Sequence, residues 1–151
     1  MRSVKTYVAA GLLLWAGTVV AAQTKISTPE DLDKTMKAVN AANGTMRKAV
    51  GSGAFADAKT AAAELKKQFT IAETFWVTHK KDDAVKMNKA TVEKIEALEK
   101  ALSAATPDAS VVQGAVKELG GTCQACHMQY RVPNPDGQGY MLKPGSIGGG
   151  W

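Results

Sequence analysis

The stretch VQGAVKELGGTCQACHMQYR, residues 112–131, sets both a fold and a chemistry. Val112, Ala115, Val116, Leu119, Cys123, Cys126 and Tyr130 recur at three- and four-residue steps, the spacing of one helical face. The two cysteines therefore continue a core stripe, and whatever they hold must plug into the packed side of a helix. Cys123, Cys126 and His127 form C-x-x-C-H, the attachment pattern for a c-type haem. Two sulfurs three residues apart can each meet one vinyl group of the same porphyrin, and the adjoining imidazole of His127 can take the iron. A structural zinc site needs four ligands, and this chain offers two cysteines and one other histidine, His79. A thioredoxin-like dithiol needs a βαβ setting, and no strand pattern is present.

Three more helices precede this one. The first opens with Thr28 as N-cap, Pro29 at the first helical position, then Glu30 and Asp31, so cap and dipole agree. Its apolar stripe is Leu32, Met36, Val39, Met46 and Val50, and Gly51-Ser52-Gly53 ends it. A second helix over about 54–77 places Phe55, Ala58, Ala62, Leu65, Phe69, Ala72 and Trp76 on one face, an unbroken bundle seam. A third begins near Asp82-Asp83 and runs to about Ala104, burying Val85, Val92, Ile95, Leu98 and Leu102. Thr106-Pro107-Asp108 repeats the Thr-Pro-acid opening and starts the fourth. Short connections favour antiparallel neighbours, so the chain reads as an all-α, up-down-up-down four-helix bundle.

The ends differ in character from this core. Arg2 and Lys5, the apolar run Val8 to Val20 and the small residues up to Ala22 read as a signal peptide over 1–22, cleaved before Gln23. The bundle then spans 23–131, and 132–151 is a Gly/Pro-rich tail without regular structure. In that tail Tyr140, Met141, Ile147 and Trp151 are isolated apolar groups. The leader takes two of 19 basic residues and none of 14 acidic ones, leaving 17 against 14, a charge of +3. Two haem propionates would bring this near neutral. The charge thus argues for no nucleic-acid partner, and scattered lysines read as a solvated surface. No stable membrane insertion is expected once the leader is removed.

With these residues in place, the chain resembles the class II c-type cytochromes, the cytochrome c-prime family and its low-spin relatives. The likeness rests on Cys123 to Arg131, the C-x-x-C-H-x-x-Tyr-Arg ending of a fourth helix, and on the Pro-Glu-Asp opening of the first. It covers about 28–131. The resemblance implies one covalent haem c held by Cys123 and Cys126, with His127 as proximal ligand and Arg131 near the proximal haem environment. It implies attachment outside the cytoplasm, hence a periplasmic protein, and leaves a homodimer open. The tail is longer than is usual in that family, and the link around Thr78 to Lys81 is shorter.

The distal iron ligand decides the function. Bundle topology puts Met36, His79 and Met87 near the haem-bearing end, with Met141 in reach if the tail folds back and Met46 too far along. Met36 is favoured, because the low-spin relatives coordinate iron with a methionine from this part of the first helix. A His–Met pair gives a low-spin iron suited to electron transfer between redox protein partners. An open distal face would instead bind nitric oxide or carbon monoxide. A haem subunit of a larger redox complex is the third reading, for which the tail is the hint. Apart from His79, no titratable group is placed as an acid–base partner for catalysis, so an electron carrier is expected rather than an enzyme. Intact mass of exported material should match a chain starting at Gln23 plus one haem; a mass that includes the leader would point to an anchored subunit.

Overall fold

The computed structural model describes residues 25–148, so the expected leader and Trp151 lie outside the described residues. Four helices follow one another: α1 (Pro29–Gly51), α2 (Phe55–Thr78), α3 (Asp82–Leu102) and α4 (Ala109–Tyr130). Each packs on its neighbour in sequence, α1 on α2, α2 on α3 and α3 on α4, while the closing approach of α4 to α1 is the sparsest of the four. This is the expected four-helix bundle, with one thin seam. None of the described helices is long and apolar enough to cross a membrane.

Local chemistry explains the helix ends. The Thr28 hydroxyl accepts the Asp31 N–H at 3.1 Å, and Pro29 gives up only a donor that would have been orphaned. At the other end of α1, the Gly53 N–H donates to Val50 O and the Ala54 N–H to Ala49 O, with Gly53 at φ +74°. That is a Schellman closure on a glycine. The α2–α3 turn repeats it without one: the Lys80 N–H reaches Val77 O, the Lys81 N–H reaches Trp76 O, and Lys80 itself sits at φ +54°. A side chain there costs about 1–2 kcal/mol, which the surrounding packing must offset. The start of α4 differs from the Thr-Pro-acid expectation. Asp108 is the N-cap, its carboxylate accepting the Ser110 and Val111 N–H groups at 2.7 and 3.2 Å. Pro107 therefore precedes the cap instead of occupying the first turn.

The core divides into two apolar clusters stacked along the bundle. The larger gathers Met46, Leu65, Ile95, Leu98, Val112 and Leu119 at the end where α1 stops and α2 starts. Alanines 58, 61 and 62 of α2 are buried there and leave room for close helix approach. The second cluster, at the opposite end, is Leu32, Ala72, Phe75, Trp76, Ala84 and Tyr130, joined by Ile26 and Ile147 from outside the helices. On α3 the expected face holds at Ile95, Leu98 and Leu102 and departs toward the start of the helix. Val85 and Val92 are only partly buried, and Asn88 and Thr91 take interior places. Hydrogen bonding makes this tolerable: Asn88 Nδ2 donates to Phe69 O at 3.1 Å and to Glu73 Oε2 at 3.3 Å, while the Thr91 hydroxyl bonds Met87 O.

The tail is not wholly irregular. Strands β1 (Arg131–Pro133) and β2 (Tyr140–Leu142) pair antiparallel, with Val132 opposite Met141. The Lys143 N–H then bonds Tyr130 O at 2.8 Å, and Ile147 is 1% exposed in the second cluster. The tail thus folds back over the end of the bundle. Ile147→Ala should destabilise the protein by about 2–4 kcal/mol, the cost of emptying a buried aliphatic site. Urea unfolding would measure it, and a change within about 0.5 kcal/mol would mean that the tail does not pack as described.

Candidate functional site

The last three turns of α4 divide their side chains among several environments. Cys123 and Cys126 are free, partly buried thiols. Cys123 packs against the larger cluster and Cys126 against the second, so the pair sits where the two clusters meet. Burial raises both thiols above their ordinary range, Cys126 to about 11. Both are therefore protonated and neutral near pH 7. His127 is also partly buried; its pKa is lowered, first by burial and then by the charge of Arg131. A neutral imidazole is the form that binds a metal.

Cys123 and His127 open onto a cleft of about 420 Å³ along the thin α1–α4 seam. Asn43 and Arg47 border it from α1, Gly120, Gln124 and Met128 from α4, and Arg131 and Tyr140 from the hairpin. Arg47 lies close over Gly120, where a Cβ would come within 3.2 Å of the guanidinium. The Arg131 guanidinium stacks on the Tyr140 ring, 3.8 Å from its centroid. A cation–π contact this exposed contributes about 0.5–1 kcal/mol and fixes where the charge sits.

The expected ligands are brought together in part. Cys123, His127 and Arg131 share the cleft. Cys126, Met36 and Met87 all pack against the second cluster next to it, each partly buried. Met46 is fully buried in the larger cluster, away from this end. His79 has another occupation: its Nε2 lies 2.9 Å from the Ser27 carbonyl and its ring 4.4 Å from that of Phe75. Together with the Ile26 N–H donated to Thr74 Oγ1 at 2.9 Å, this pins the segment before α1 onto the end of α2. Met141 is partly buried within β2. Among the described residues no three His, Cys, Asp or Glu side chains cluster as a self-sufficient metal site. What α4 offers is two neutral thiols and one neutral imidazole on adjacent turns beside apolar packing, a donor set that fits a large apolar group bringing its own iron ligands.

One constellation was not foreseen from the sequence. Asp83, in the first turn of α3, accepts the Tyr130 hydroxyl at 2.5 Å and Gln129 Nε2 at 2.8 Å, both from the last turn of α4. Tyr130 also meets the Trp76 ring, with centroids 4.9 Å apart. These contacts hold the end of α4 against α2 and α3, so the helix cannot roll and the thiols keep their facing. The sequence signal was an acid at a helix start, which reads equally well as dipole compensation.

Comparison with known proteins finds no matching family model, no similar curated protein and no similar solved structure.

The hydroxyl of Tyr130 is the main cause holding the Asp83 carboxyl below its ordinary 3.8. A depressed folded pKa stabilises above the ordinary carboxylate range, and that contribution is lost as pH falls through the folded value. Asp83→Asn should therefore flatten part of the stability profile below about pH 4, read by thermal unfolding across pH. An acid limb identical to wild type would remove Asp83 from this role.

Proposed function

We propose that the protein is an exported, periplasmic monohaem cytochrome that carries single electrons, similar to the low-spin class II c-type cytochromes. The observation that supports this reading is the pairing of C-x-x-C-H with its setting. Two neutral thiols and a neutral imidazole stand on the last turns of α4, where the bundle is least closed. In this reading Cys123 and Cys126 would hold haem c covalently and His127 would be an iron ligand. When bound, that group supplies a one-electron iron couple.

The remaining residues orient and shield. Phe75, Trp76 and Leu32 keep the neighbouring cluster apolar, which excludes water from one side of the site. Arg131 places a fixed positive charge beside His127, and this favours the neutral form of the ring. Met36, which packs against the same cluster as Cys126, would supply a thioether as a second iron ligand. His79 is a weaker ligand in this reading, because its Nε2 is engaged with Ser27. Signal-peptide export of residues 1–22 belongs to the same reading, as does the absence of an enzymatic role.

Two measurements on purified protein test it. Covalent haem should stain on a denaturing gel for wild type and vanish in Cys123→Ala/Cys126→Ala. The reduced wild-type spectrum should show a sharp low-spin α-band, and both Met36→Ala and Met36→Leu should turn it high-spin with new carbon monoxide affinity. A wild type that is already high-spin and binds carbon monoxide would replace the carrier with a gas-binding protein.

A further inference from the structure

The helix faces along the thin seam carry almost no charge in a chain that is 22% charged. Residues 38–46 of α1 and 119–130 of α4 contain no Lys, Arg, Asp or Glu. Two of the other three interhelical faces are different. Lys66 bridges α2 to Glu96 and Glu99 of α3 at 2.9 and 3.4 Å, and Lys94 bridges α3 to Glu118 of α4 at 2.7 Å. At the mouth of the seam Met128 is 72% exposed and Tyr140 is 54% exposed. Arg47 and Arg131 flank them, and neither guanidinium forms an ion pair among the described residues. An uncharged centre with exposed Met and Tyr, rimmed by arginine, has the composition of a protein interface.

We infer that this face, built from Asn43, Arg47, Gln124, Met128, Arg131 and Tyr140, docks an acidic redox protein. Charge selects the occupant. A second copy related by a two-fold axis would bring four guanidiniums to one patch without a carboxylate, which like-charge repulsion disfavours. An acidic rim on the partner pairs both arginines while its apolar centre covers Met128 and the Tyr140 ring. The surface also borders Cys123 and His127, so a docked partner lies over the candidate cofactor site. That the contact serves electron transfer rests on the carrier reading; the contact itself does not.

Calorimetric titration of the full-length protein with an acidic and with a basic blue-copper protein, at low and high salt, tests the surface. The acidic probe should bind, and salt should weaken it. Arg47→Glu and Met128→Glu should each weaken binding by about tenfold or more. Val111→Glu, at an exposed position near the other end of α4, should not. Equal binding of the two probes, or insensitivity to both seam substitutions, overturns the proposal. So does a wild-type dimer in sedimentation that Met128→Glu dissociates, because the occupant is then a second copy. Haem absorption of the same sample judges the carrier reading separately. A sample without haem that still binds the acidic probe in this pattern supports the surface and removes the carrier.

Discussion

Everything at the candidate site depends on how α4 is held over its last turns. The helix contributes Val112, Val116 and Leu119 to the interior, yet must leave two thiols and an imidazole uncommitted just beyond them. The Tyr130–Asp83 hydrogen bond resolves that conflict. It locks the rotation of the helix from its C-terminal end, against α3, at a point where a purely apolar contact would allow rolling. Tyr130 can serve because it is amphipathic: the ring packs on Trp76 while the hydroxyl reaches a carboxylate at the edge of the core. A phenylalanine would preserve the burial and lose the directionality.

The sparse α1–α4 closure has a related cause. Polar Asn43 stands on α1 at the seam where an apolar residue would have drawn α4 inward, and Gly120 borders the gap with no side chain to fill it. The bundle is consequently secured by three seams, two of them reinforced by ion pairs, and the fourth remains accessible. Exposed pairs of that kind contribute only about 0–1 kcal/mol each, so their role is to favour one register over another.

Much of this was legible in the residue order, because it follows from periodicity. The four helices, the Thr28 cap and the seam of α2 from Ala58 to Trp76 are local or near-local patterns, and the structure bears them out. The features that escaped depend on contacts distant in sequence. Ile147 looked like an isolated apolar group in a glycine-rich tail, since nothing nearby indicates a cluster waiting at Phe75 and Ala84. On α3, Ile95, Leu98 and Leu102 are buried as their spacing predicts, but valines score as interior and asparagine as surface, whereas Asn88 finds a carbonyl on α2 that inverts the preference. Lys80 gave no turn signal at all, for the Schellman closure normally announces itself by glycine. On the chemistry, the motif at 123–127 names candidate donor residues, but not that Arg47 and Tyr140 border them from elsewhere.

The second cluster takes members from both extremes of the described chain, Ile26 and Ile147. This imposes an order in time. A chain delivered from its N-terminus can form α1 to α3, and even most of α4, while that cluster still lacks its final member. Until residue 147 arrives, the second cluster, against which Cys126 packs, lacks one of its buried members. On the haem reading proposed above, that interval would be the time at which the group is admitted and bonded, before the second cluster is completed. A bundle ending at Arg131 would have no such last step, and admission would be governed by breathing of the helices alone.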